Sequence, residues 1–219
     1  NLHPEWVATM VRNRWQAWTG IRKYYPDYWN GMSTEVVSII QRVKTKAIEE
    51  DKRFCLFPNL DPSFFIEPEI MHVNIKKSNY SDRDIKNIVQ DVDIYDVVKN
   101  EKFILIEAPM GYGKSKLLRH IVKYFCDSNI YKESKILPIT IKYCDLLVDG
   151  KLDVRQLSSN CSLSEDEIKK HTKITFLIDG FDEVSESLGT KIEHIKELEQ
   201  FILTKTSFAV VLATRGLNV

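Results

Sequence analysis

Two short runs of residues carry the chemistry that can be read from this chain. The first is Ala108-Pro109-Met110-Gly111-Tyr112-Gly113-Lys114-Ser115, with Lys116 following. It fits the pattern G-x-x-x-x-G-K-[ST] except at the first position, where Ala108 stands in place of glycine. A polyphosphate carries several negative charges. The backbone N–H groups of such a loop, and the start of the helix it opens, supply fixed positive dipoles to receive them. Gly111 and Gly113 let the backbone approach without a Cβ in the way. Lys114 brings a full positive charge to the outer phosphates, and the Ser115 hydroxyl is placed to ligate Mg²⁺. Ala108 is compatible with the pattern provided its φ is negative.

The second run is Asp179-Gly180-Phe181-Asp182-Glu183, directly after the apolar stretch Ile174 to Ile178. Asp179 is expected to hold Mg²⁺ through its water shell, with Ser115 completing the coordination. Asp182 or Glu183 is the candidate that polarises a water for attack on a γ-phosphate. Carboxylates this close repel one another, and a bound cation offsets the repulsion. A third feature is Ala213-Thr214-Arg215, which ends another apolar run. In a parallel sheet the carboxyl ends of the strands share one edge, where ligands bind. Thr214 or Arg215 there is a candidate sensor of the γ-phosphate.

These residues need strands and helices to position them, and the periodicity supplies both. Phe103 to Ile106 reads as a short strand buried on both faces. Leu117, Leu118, Ile121, Val122 and Phe125 recur at helical spacing after the loop. Ile136 to Ile141, Ile174 to Ile178 and Phe208 to Ala213 read as further strands. Ser164 to Glu167 forms a capping box, and Thr190 to Leu203 an amphipathic helix. Alternating strands and helices imply an α/β fold with a parallel sheet covered on both faces.

The chain upstream is different. Residues 1–30 hold all four tryptophans (Trp6, Trp15, Trp18, Trp29) with Tyr24, Tyr25 and Tyr28. Val7, Val11, Trp15 and Trp18 give one strongly apolar helix face. A second helix is expected from Thr34 to about Glu50. Pro58, Pro62 and Pro68 favour an extended connector. Ser81 to Asp84 reads as a cap for a helix through Ile85, Ile88 and Val89, with another helical turn or two between Asp91 and Asn100. These shifts place a boundary near residue 80: a helical, Trp/Tyr-rich segment with a Pro-rich connector over 1–80, and the α/β unit over 81–219.

Composition narrows the function classes. The chain has 219 residues, 31 basic and 31 acidic, so its formal charge is zero. Neutrality argues against a protein built to coat nucleic acid or an acidic membrane. Residues 1–29 carry four basic side chains against Glu5 and Asp27, a net +2 with histidines neutral. No run nears the roughly 18 apolar residues of a membrane span. Cys55, Cys126, Cys144 and Cys161 lack C-x-x-C spacing and read as buried thiols in a reducing cytoplasm. The five histidines are dispersed and mark no metal or proton-relay cluster. Asn1 in place of Met leads us to expect an excised or processed piece.

The combination EAPMGYGKSKLL, LPITIKYCDLL, ITFLIDGFDEV and VVLATRG resembles a NACHT-family NTPase of the STAND class. The Asp179-Gly180 pair with the trailing Asp182-Glu183 is the more discriminating part. The resemblance covers about residues 81–219 and does not extend to residues 1–80. It implies a P-loop NTPase three-layer sandwich, with the fourth strand inserted between the phosphate-loop strand and the Asp179 strand. It further implies an ATP- or ADP-binding, Mg²⁺-dependent switch that neighbouring domains hold shut, that ligand sensing through a sensor domain opens, and that self-oligomerises to activate an effector domain. Bacterial members resemble animal innate immune receptors and often act in antiphage defence. ATP is favoured on the resemblance, since no N-K-x-D guanine reader follows. Two departures stand out: Ala108, and an end at Val219 just past the sensor strand, before the family's last core strand, lid and winged helix. Slow turnover is therefore expected of this piece.

Two other readings compete. One is an AAA-type or nucleic-acid-stimulated ATPase, although no helicase signature is present. The other is a scaffold that docks a partner through the Trp15/Trp18 face.

Overall fold

The computed structural model describes residues 29, 31–54, 71–73, 89–91, 93–160 and 163–215. The expected aromatic helix of residues 1–28, the Pro-rich connector and the cap at 81–84 lie outside them.

Apolar positions 36, 40, 43 and 47 recur along one face of helix α1 (Thr34–Phe54), about one turn longer than expected. Val36, Ile40 and Ala47 are buried, and Val43 packs against the core. Strands β1 (Met71–Val73) and β2 (Val89–Asp91) pair antiparallel, with Val73 opposite Val89. Val89 was expected in a helix, and its pairing with another β-branched residue corrects that. Helix α2 (Ile94–Asn100) begins later than Asp91, because Asp93 takes the capping position and accepts from the Tyr95 N–H at 2.8 Å.

Strand β3 (Phe103–Glu107) leads through residues 108–113 into α3 (Lys114–Phe125), whose five apolar positions are all buried. Then follow α4 (Ser128–Ser134), β4 (Ile136–Lys142) and the small hairpin β5 (Leu147–Val148) with β6 (Lys151–Leu152). Short helices α5 (Gln156–Asn160) and α6 (Glu165–Ile168) come next. Ser164 and Glu167 form the expected reciprocal capping box at the start of α6. Strand β7 (Lys173–Asp179), helix α7 (Leu188–Thr204) and strand β8 (Phe208–Thr214) complete the described chain.

The main sheet is parallel, in the order β3-β8-β7-β4. β8 thus lies between the loop-bearing strand and the Asp179 strand, the order expected. The connection from β3 through α3 to β4 and that from β7 through α7 to β8 cross the sheet in opposite directions. Right-handed crossovers then put α3 and α7 on opposite faces. α1 packs on α3 and β4. The fold is α/β, compatible with a three-layer sandwich.

Central β7 and β8 form the driest layer: Ile174, Phe176, Leu177 and Val210 to Leu212 have no exposed surface. Burying each such side chain is worth about 1.5–3 kcal/mol. α1 shares this core through Ile39 and Ile40. Trp29 packs against it too, its ring 6.5 Å from that of Tyr131. β3 does not match the expectation of a strand buried on both faces. It is the edge of the described sheet, and Leu105 is 38 % exposed. At the opposite end of the sheet, the Lys173 ammonium donates to the carbonyls of Val98, Lys99 and Glu101, at 2.8, 2.8 and 3.0 Å, and so closes the end of α2. Among the described residues no helix is long and apolar enough to cross a membrane.

Candidate functional site

Strand register brings the chemistry to one edge. Glu107 is level with Thr214, Ile178 with Leu212, and Lys142 with Asp179. The loop after β3, the acidic turn after β7 and the end of β8 therefore emerge together. The Ala108 N–H ties the loop to β8 by donating to the Thr214 carbonyl at 3.1 Å.

Gly111 and Gly113 have φ of +84° and +82°, and Gly113 caps α3. A Cβ at either would meet nothing within 4 Å. Glycine is needed here for its left-handed backbone, while the space above the loop stays open. Ala108 has no positive φ, as its replacement of glycine requires. Met110 and Tyr112 are exposed at the loop tip, and Pro109 and Lys116 are exposed as well. Lys114 folds back over its own loop: its ammonium donates to the carbonyls of Ala108 at 2.7 Å and Pro109 at 3.1 Å. Those carbonyls hold the cation in the loop, where an anion can take it over.

Ser115, Asp179 and Glu183 border one cavity of about 960 Å³. The turn that carries the two acids is tight. The Gly180 N–H donates to Asp179 Oδ1 at 3.0 Å, and the Glu183 N–H to the Gly180 carbonyl at 3.0 Å. Gly180 has φ +77°, and a Cβ there would stand 3.2 Å from Glu183 Oε2. Of the two candidate water-polarising acids, Glu183 borders the cavity. Asp182 does not, and is instead ion-paired with Arg215. Arg215 and Thr214 likewise lie off the cavity wall, and the Thr214 hydroxyl donates to the Arg215 carbonyl at 2.9 Å.

The donor set fits Mg²⁺ held together with phosphate. Such an ion keeps most of its waters and takes one or two protein oxygens; Ser115 and Asp179, which border the same cavity, would supply such a pair. Among the described residues no three His, Cys, Asp or Glu side chains gather into an all-protein metal cage.

Two features of the cavity wall have no signal in the sequence. Helix α1 lends Lys46, Glu50 and Arg53 to the cavity wall. Tyr143 also borders the cavity, and its hydroxyl donates to Glu186 Oε2 at 2.9 Å and bonds His194 Nδ1 at 2.5 Å. Burial and the neighbouring Glu186 carboxylate push the Tyr143 phenol well above its usual range. Of the histidines read as dispersed, His120, His171 and His194 lie in described segments and are partnered: Tyr95 bonds His120 at 3.0 Å, Tyr131 bonds His171 at 2.6 Å, and Tyr143 bonds His194. Cys144 corrects the expectation of buried thiols. It is exposed on the cavity wall, because Tyr143 and Leu146 take the inward positions of the 3-10 turn Tyr143–Leu146. Cys126 is buried, and that burial pushes its thiol up to about 12. Cys55 and Cys161 lie outside the described residues.

Comparison with protein-family models, with curated proteins and with solved structures finds no match to this chain.

Proposed function

We propose that this chain is the nucleotide-binding core of a NACHT-like STAND switch. It binds ATP or ADP with Mg²⁺ and hydrolyses ATP slowly. In the cytoplasm it drives nucleotide-dependent self-association of a longer protein, in antiphage defence or another signalling response. The observation that carries this reading is the shared cavity, which Ser115 in the first turn of α3 borders together with Asp179 at the end of β7 and Glu183 in the turn that follows.

The roles follow from the chemistry of the side chains. The loop N–H groups and the start of α3 receive the phosphates. Lys114 exchanges the Ala108 and Pro109 carbonyls for outer phosphate oxygens. Ser115 and Asp179 are the oxygens that hold the metal ion. Mg²⁺, when bound, offsets negative charge on the β- and γ-oxygens. Glu183 orients a water and accepts its proton as the water oxygen bonds to the γ-phosphorus and the bond to the ADP oxygen breaks. Arg215 lies off the cavity wall, and any report of phosphate occupancy by it would pass through its ion pair with Asp182, one residue before Glu183.

Calorimetric titration with Mg-ATP tests this. Wild type binds, and Lys114→Ala binds at least about tenfold more weakly, since an ammonium–phosphate contact is worth about 1.5–3 kcal/mol. Alkylation of Cys144, followed by peptide mass spectrometry, slows on adding Mg-ATP to wild type and not to Lys114→Ala. Equal affinities in the two proteins would overturn the reading.

A further inference from the structure

The cavity has a wall that the nucleotide-loop pattern does not account for. Lys46, Glu50 and Arg53 of α1 border it together with Ser115, Asp179 and Glu183. Their spacing of four and then three residues puts them on one helix face. That face adjoins the buried line of Val36, Ile40 and Ala47, so the helix is half anchored and half offered to the cavity.

The orientation of α1 is fixed beside this wall. Asp51 is ion-paired with both Arg119 and Lys123 of α3. Burial alone would raise the Asp51 carboxyl, and its two cations more than offset this and lower it. α1 is thereby tied to the helix whose first turn carries Lys114 and Ser115. A polar face on a helix so tied is a built wall of the site.

The charges on the wall are balanced. Lys46, Arg53, Arg119 and Lys142 supply four positive charges. Glu50, Asp145, Asp179 and Glu183 supply four negative ones. Arg119 is already committed to Asp51. Lys142 stands level with Asp179 at the neighbouring strand end. A metal ion held by Ser115 and Asp179 would offset carboxylate charge on this wall, and Lys46 and Arg53 would then answer an incoming anion.

We infer that Arg53 and Lys46 of α1 bind the terminal phosphate and so make the site prefer a nucleoside triphosphate over a diphosphate. This rests on the function proposed above and adds a specificity device to it. Asp179 and Glu183, which the proposed function sets beside the γ-phosphate and its attacking water, border the same cavity as Lys46 and Arg53. Lys114 serves the phosphates from the loop side, where a diphosphate also reaches. A cation supplied from the same chain at the γ-phosphate is worth much to catalysis in other phosphate-transferring sites.

The test compares Mg-ATP with Mg-ADP on the full 219-residue chain by calorimetry. Wild type favours ATP by about tenfold or more. The Lys46→Ala/Arg53→Ala double variant binds both nucleotides alike and keeps its affinity for ADP. Lys46→Arg/Arg53→Lys restores the preference in part. Both residues are exposed, so the core is left intact. Arg53→Gln alone is the milder second variant, and thermal melting checks the fold of each. A double variant that keeps the wild-type ratio overturns the inference. So does one that loses ATP and ADP binding equally, because the cations then serve the inner phosphates or the fold. Wild type binding both nucleotides without preference sinks this inference and leaves the proposed function standing. Wild type binding neither sinks both.

Discussion

Asp182 and Glu183 are neighbours in sequence, yet they face different partners. Asp182 is paired with Arg215 at the end of β8, and Glu183 borders the cavity shared with Ser115 and Asp179. One tight turn thus divides its acids between a link to the next strand and the proposed chemistry.

That division predicts different effects for two similar substitutions. Glu183→Gln keeps the shape and removes the base. Single-turnover hydrolysis of ATP should fall by about 10²–10⁴-fold, with binding kept. Asp182→Asn loosens a pair whose arginine is 48 % exposed, which costs about 1 kcal/mol or less. Its hydrolysis should fall far less than that of Glu183→Gln. An equal fall in both variants would show that the acids act as one unit.

Gly180 makes a second point of control. Its φ is +77°, and a methyl group there would press on Glu183 Oε2 at 3.2 Å. Gly180→Ala should therefore cost about 1–2 kcal/mol in urea unfolding and lower hydrolysis by displacing Glu183. Gly111→Ala carries the same backbone penalty with nothing near its Cβ, so its cost is conformational strain alone. Hydrolysis that is unchanged in Gly180→Ala would mean that the Glu183 carboxylate has no fixed post.

Much of the α/β unit was legible because its signals are local. Five apolar positions at helical spacing gave α3, and largely apolar runs gave β4, β7 and β8. The edge position of β3 was hidden, because its run reads like that of a central strand. Ser115 and Asp179 could be named from motif and context. The cavity wall from α1 could not, since α1 and β7 are far apart in sequence and only the packing of α1 on α3 and β4 joins them. The Tyr143–His194 contact spans 51 positions and left no mark in spacing. Asp182 and Glu183 were equivalent on paper, and the direction of a four-residue turn separates them.

Lys173 predicts a stability effect far from the site. Its ammonium donates to three carbonyls at the end of α2. Burial draws its pKa below the usual lysine range, yet the carbonyls need the donor. Lys173→Met keeps the apolar stem and leaves those carbonyls without it. Unfolding free energy should fall by about 1–3 kcal/mol, measured by urea denaturation, with nucleotide affinity unchanged. A variant as stable as wild type would mean that water replaces the ammonium at no cost.

His171 predicts how stability depends on pH. Burial pushes its imidazole down to about 4, with Glu167 opposing the shift and Lys170 adding to it. Nδ1 is bonded to the Tyr131 hydroxyl, and the buried Nε2 has no partner among the described residues. In the unfolded chain the ring titrates near its ordinary value of about 6.5. Between these two values the unfolded chain binds a proton that the fold does not. Stability therefore rises with pH across that window: the contribution is complete above about 6.5 and drains away as pH falls toward 4. Asp51 loses its ion-paired contribution only at lower pH, because its own carboxyl is held down. The urea midpoint of wild type should thus drop between pH 7 and pH 5. His171→Gln, which keeps an acceptor for Tyr131, should show a flatter profile over the same range. Parallel profiles in the two proteins would assign the acid sensitivity to other groups.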